Sequence, residues 1–235
     1  MANSKISLLA AAGAMSDSDL FPIVQGGATK KGLLSALVTY LRTKITAPNA
    51  MPYSSGRYYL PDRSPNLPNA AGAVGVSGTL YMMPGSLRKA ATIASFVANI
   101  TTLAAGGNFQ IAIYAADATT GLPTGAPLYT SASASTAATG AIETSTGATL
   151  AAGDYWFCLQ RDNATVIFRS FVTTSLAPVQ LVGASTGLLA LGAGAAGWTK
   201  TGTFGTWPTL TGNQTTDGLT LATTAIVPMI AFKVS

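Results

Sequence analysis

Apart from its tyrosines, the ionisable side chains of this 235-residue chain are eight carboxylates, thirteen Lys and Arg and one Cys, with no His. Without His, Ser-His-Asp triads, Cys-His pairs and His-containing zinc and iron sites are excluded. A single Cys158 leaves no intramolecular disulfide and no multi-thiolate metal centre. Paired carboxylates remain, because glycoside hydrolysis needs two that converge on one bond. The acids are Asp17, Asp19, Asp62, Asp117, Glu143, Asp154, Asp162 and Asp217, and only Asp17 and Asp19 lie close together. Those from Asp117 onward fall at expected turns or strand ends, where solvation accounts for them without catalysis. No phosphate loop, dinucleotide fingerprint, nucleophile elbow or metal motif is present, and Gly192-Ala193-Gly194 lacks the strand, helix and Lys that phosphate binding uses. The sequence implies no enzyme, no catalytic residue, no metal and no cofactor.

Binding chemistry has two sources. Trp198 and Trp207 stand in a Gly/Ala/Thr-rich stretch, and an indole offers a large rigid face on which a host-surface glycan could stack. The competing explanation is that these rings cap the ends of the fold or are buried between subunits. Nucleic acid is not an expected partner: the basic residues are scattered, with Lys30-Lys31 and Arg88-Lys89 the only adjacent pairs. Seven basic and three acidic residues precede position 69, against six and five after it, so the positive excess belongs to the N-terminal part.

The elements that must position these groups follow from composition and period. A chain 48% hydrophobic, 9% charged and of mean hydropathy +0.38 is not disordered, and it is long enough to bury a core. So little charge on so apolar a chain would expose large apolar patches on a monomer, which predicts self-association. The short apolar run near the N-terminus contains Ser7 and is followed by Asp17 and Asp19, and residues 182–197 are Gly- and Ala-rich and too short for a bilayer span. Neither a secretory signal nor membrane insertion is expected; synthesis is cytoplasmic.

Residues 1–47 form one block. Leu20, Phe21 and Ile23 belong to a short extended run ended by Gly26-Gly27, and Leu33, Leu34, Leu37, Val38, Leu41 and Ile45 then recur every three or four residues, predicting a four-turn amphipathic helix. A helix that short needs a partner for its apolar stripe. Residues 48–72 interleave five prolines with Tyr53, Tyr58 and Tyr59, which predicts an extended linker, with its tyrosines available to lie across a neighbouring surface. Within residues 73–235, runs 92–100 and 109–114 alternate with period two, and further strand candidates between turn signals are 79–82, 128–131, 141–145, 154–160, 166–172 and 226–234. Cys158 falls in one of them, among alternating Tyr155, Phe157 and Leu159, as a core residue. The fold class is mainly β: a C-terminal jelly-roll-like antiparallel β-sandwich, with a small N-terminal segment containing a short strand and one amphipathic helix.

The opening Ile6-Ser7-Leu8-Leu9, the run from Asp19 through Gly27, Thr29-Lys30-Lys31 and the Leu-rich stretch after them resemble the N-terminal segment of many tailed-bacteriophage fibre and spike proteins. The Phe109–Tyr114 run, Gly121-Leu122-Pro123, Gly140 and Leu150-Ala151-Ala152-Gly153-Asp154-Tyr155-Trp156 resemble the β-sandwich of phage fibre, spike and receptor-binding proteins. The resemblance implies a non-enzymatic structural protein of the virion, a homotrimer. Residues 1–47 would dock on other virion proteins through Leu20, Phe21, Ile23 and the Leu33–Ile45 stripe, and the sandwich would project toward the host surface. The chain is short and lacks a β-helix repeat, unlike pectate-lyase-like tailspikes.

Overall fold

A computed structural model describes residues 20–25, 28–33, 52–61, 68–71, 75–171, 197–222 and 227–235. The chain divides into two compact units, Met1–Ala50 and Met51–Ser235.

In the first unit, β1 (Leu20–Gln25) and β2 (Ala28–Leu33) pair antiparallel, with Leu20 opposite Leu33, Phe21 opposite Gly32 and Ile23 opposite Lys30. The extended run at Leu20 is therefore a strand as expected. Leu33, in contrast, ends β2 and does not open a helix. The three-four spacing reads as a helix only while pairing is ignored, and a strand of the matching length already stands opposite Ala28–Leu33. Leu34, Leu37, Val38, Leu41 and Ile45 lie outside the described residues.

The second unit is an antiparallel sandwich. One sheet runs β14 (Leu210–Thr211), β8 (Pro123–Thr130), β7 (Asn108–Ala116), β11 (Gly153–Arg161), β5 (Leu80–Leu87), β13 (Gly197–Lys200) and β15 (Thr220–Ala222), with β9 (Ala134–Ser135) also on β7. The other runs β3 (Tyr58–Tyr59), β16 (Ile230–Val234), β6 (Ala91–Thr102), β12 (Ile167–Phe171) and β4 (Pro68–Ala71), with β10 (Gly140–Leu150) also on β6. All eight strand candidates read from the sequence coincide with or overlap a strand.

Alternation decides which side chains meet between the sheets. Phe109, Ile111 and Ile113 of β7, Phe157 and Leu159 of β11 and Met83 of β5 face Phe96, Ala98 and Ile100 of β6 and Ile230 and Phe232 of β16. Phe157 stacks on Phe232 at 6.4 Å between ring centroids and meets Phe96 edge-on at 6.3 Å.

The residues between these on the eight-stranded sheet form a second cluster on its outer face: Leu80, Met82, Ala112, Tyr114, Trp156 and Cys158, with Trp198 of β13 and Leu210 of β14 in the same sheet, covered by Leu219 and Trp207 from the loops within residues 201–219. Cys158 is thus a core residue, its thiol pKa pushed well up by burial. A one-turn helix α1 (Gln214–Asp217) closes the covering segment. Asn213 caps it by accepting from the Thr215 and Thr216 amides at 3.0 and 3.1 Å, and Gly218 ends it in the left-handed conformation at φ 62°.

The stretch read as a linker contributes to the sandwich. Tyr58–Tyr59 pairs with β16, Pro68–Ala71 pairs with β12, and Tyr53 packs edge-on against Tyr59 and Phe232 at 4.9 and 5.5 Å. Tyr53 and Tyr59 lie across the chain's own core, while Tyr58 stays exposed and donates to Glu143. Proline tolerates such sheet-edge positions because it lacks only the donor that an outer strand does not need.

Candidate functional site

Of the two tryptophans singled out in the sequence, Trp198 lies in a strand of the eight-stranded sheet and Trp207 in the loop that crosses its outer face. Trp198 is in β13, between Met82 of β5 and Leu221 of β15, and is 4% exposed. Its indole fills the second cluster, and Nε1 is buried without a hydrogen-bond partner among the described residues. No ring face is left for a sugar, so burial removes Trp198 as a ligand platform. Trp207 is half-buried and packs on the same cluster.

The polar side chains around them act as clasps. Gln160 donates from Nε2 to the Thr206 carbonyl at 3.0 Å and accepts from the Gly205 amide at 3.2 Å, and the Tyr114 hydroxyl donates to the Pro208 carbonyl at 2.9 Å. Burial pushes the Tyr114 pKa far up, with the Cys158 thiol adding to it, so the phenol stays protonated as a donor. Asp217, 4% exposed, accepts from the Thr211 amide and hydroxyl and from the Asn213 amide. It is a buried structural acceptor, unlike the solvated turn residue expected from its position.

A groove enclosing about 840 Å³ opens at the end of the eight-stranded sheet where β5, β7 and β11 meet the loop from β7 to β8. Register brings these segments together, since Trp156 lies between Tyr114 and Pro84, and Tyr155 between Ala115 and Gly85. Trp156 is fixed by donating from Nε1 to the Gly121 carbonyl at 2.8 Å. Asp117 and Asp154 line the groove, together with Thr119 and Thr120. Asp117 Oδ1 accepts from the Thr120 amide at 2.8 Å, the Thr119 amide at 2.9 Å and the Thr120 hydroxyl at 3.1 Å. Those donors, the Thr120 amide foremost, hold its carboxyl below the usual range against a smaller opposing effect of desolvation.

Two further carboxylates are spent on structure. Glu143, in the middle of β10 and not at a strand end, accepts from the Tyr58 hydroxyl, from the Ser95 hydroxyl at 2.8 Å, and pairs with Lys233 at 3.5 Å. These partners, Tyr58 first and then Ser95, lower its pKa. Asp162 is pushed up by burial, yet its bonds from the Asn108 amide at 2.7 Å and side chain at 3.0 Å, with Asn163, bring it below its ordinary value overall. Among the described residues no group of three or more potential metal ligands gathers, and no helix is long and apolar enough to cross a membrane.

Leu20, Phe21, Ile23 and Leu33 of the docking set are brought together in one hairpin, where Leu20 and Leu33 are directly opposed. The groove was not singled out in the sequence. Its loops were legible one at a time, from Gly121-Leu122-Pro123 and Gly153-Asp154, but nothing in the spacing brings segments so far apart to one sheet end. No protein-family model matches the chain, and no curated protein matches it.

Proposed function

We propose that this chain is a non-enzymatic structural protein of a tailed-bacteriophage virion, of fibre, spike or head-decoration type. Residues 1–47 anchor it to other virion proteins, and the sandwich projects outward in a homo-oligomer, a trimer by the resemblance described above. The observation that supports this most is the division of the chain. A sandwich whose eight-stranded sheet is covered on both faces by its own chain is joined to a separate small unit containing a two-stranded hairpin. A two-stranded hairpin by itself is at best marginally stable in water, so the described part of that unit needs further packing, which a surface on the virion would supply. Deleting residues 1–50 is expected to leave a folded, soluble sandwich that no longer enters particles. Retained incorporation, measured by quantifying the protein in purified virions, overturns the docking role. Light scattering on the full chain and on the shortened one tests where assembly resides.

A second reading, carbohydrate binding by the sandwich, is favoured by the groove beside Asp117 and Asp154. The two readings are compatible, since a projecting sandwich can carry the adhesive site.

A further inference from the structure

Resting on the homo-oligomer of the proposed function, we propose that copies of this chain meet along one side of the sandwich, the side formed by β8, β9 and β10. The open edge of β10 extends its sheet into a second copy.

The backbone gives the first reason. β10 pairs with β6 alone, and among the described residues no strand and no other backbone-to-backbone bond lies along its outer edge. An unpaired edge presents a row of amide donors and carbonyl acceptors that another strand satisfies. Other edge strands of the sandwich are short: β3, β9 and β14 have two residues, β15 three and β4 four, the last opening with Pro68. β10 has eleven, and its register with β6 is unbroken over the six residues from Gly140 to Ser145, the length of an ordinary strand. The bulge between Ser145 and Ala148 ends that regular run. Beside it, β8 meets β14 only at Thr124 and Gly125, so among the described residues 126–130 has no outer neighbour either. A Cβ added at Gly125, Gly140 or Gly147 would meet open space.

Charge and exposure choose the occupant. Between Asp117 and Asp154 the single charged residue is Glu143, and no Lys or Arg stands between Lys89 and Arg161, in a chain of formal net charge +5. Glu143 is itself paired with Lys233 at 3.5 Å. Two copies of a cationic chain repel wherever their lysines and arginines face each other, and β8, β9 and β10 carry none. Depletion of charge is also what distinguishes the centre of a protein interface from other surface. Leu128, 46% exposed in the open run of β8, adds apolar area, with exposed Ala126 on the same strand and exposed Ala141 and Ser145 on β10. A charged polymer finds little to hold on this side. A second copy supplies a strand for the edge, a surface that brings no opposing charge and an apolar contact for Leu128.

The test is light scattering on the full chain across a dilution series. The parent is expected to be an oligomer that dissociates on dilution. Ser145→Lys and Leu128→Lys, both at exposed positions, put an ammonium into the contact and are each expected to raise the dissociation constant about 10-fold or more. Val76→Lys, at a residue 67% exposed and outside this side, is expected to leave it unchanged. If the full chain stays a monomer at the highest concentration, the homo-oligomer and the contact both fall. If it assembles and Ser145→Lys assembles equally well, the β10 edge is overturned while the oligomer stands. Leu128→Lys assembling like the parent overturns the part given to β8. Weakening by Val76→Lys as great as by Ser145→Lys assigns the effect to added charge and overturns the edge as well. Should Ser145→Lys prove unfolded by circular dichroism, hydrogen exchange on the parent decides. Protection in residues 140–145 that rises as the protein assembles supports the pairing, and protection independent of concentration overturns it.

Discussion

The two faces of the eight-stranded sheet are built from the same strands and covered by different means. Its inner face meets a second sheet, and the contact is nearly all phenyl, branched aliphatic and methionine side chains packed in alternating register. Its outer face meets a segment with little regular structure, held by indole packing and by side-chain-to-backbone bonds from Gln160, Tyr114 and Thr120. A sheet can cover a sheet by apolar packing because both satisfy their backbones internally. A loop cannot, so its carbonyls and amides must find partners among the residues beneath. The outer face is therefore apolar around Trp198 of β13 and Leu210 of β14, which extend the sheet itself, and carries polar side chains where the loop crosses.

Substitutions that break one covering and spare the other measure this difference. Phe157→Ala, in the inner core at 0% exposure and in contact with Phe96 and Phe232, is expected to lose about 4 kcal/mol in denaturant unfolding. Trp198→Ala should cost about 3 kcal/mol, with amide exchange rising first in residues 197–222 while β6 and β16 stay protected. Equal loss of protection across both sheets would show that the covering is no separate layer. Gly197→Ala is next, at about 2 kcal/mol. A Cβ there collides with the Met82 backbone carbonyl, which cannot swing aside as a side chain could, so β13 must draw away from β5. Gln160→Leu leaves the Gly205 amide and Thr206 carbonyl unpaired and should cost about 1.5 kcal/mol.

The smallest effect is the pH dependence at the far face of the six-stranded sheet. Glu143 has its pKa lowered in the folded state, so its contribution is fully present above the ordinary carboxylate value of 4.5 and is lost as pH falls through the lower folded value. A shallow loss of stability in acid is expected, and Glu143→Gln should flatten it relative to the parent in melts across pH 2–6, a range set by ordinary carboxylate titration.

Much of the sandwich was legible because period-two alternation survives in 92–100, 109–114 and 154–160, each buried on one side by a sheet and flanked by turn residues. The strands that escaped notice are short, and pairing rather than alternation makes them strands. Tyr58–Tyr59 and Pro68–Ala71 carry the prolines and tyrosines of a spacer, and β13 to β15 lie among Gly and Thr. Leu33 was misplaced for the same reason, since a strand of six residues next to a Leu-rich run has no local signature to outweigh the helical spacing. Of the binding candidates, the tryptophans were visible by type and lost by burial, while the groove was invisible until register joined Asp117 to Asp154.

By itself the sequence determined the mainly β character of the described part of residues 73–235, the phase of its longer strands, the burial of Cys158 and the exclusion of His- and thiol-based chemistry, because these depend on residue type and short-range period alone. Only the tertiary structure decided that the Pro/Tyr stretch joins the sandwich, that Trp198 is packing and not platform, that Asp217 is buried, and that two acids share a groove. Each of those depends on which distant segments lie side by side, and hydrogen-bond register between strands, which has no expression in local sequence, is what sets it.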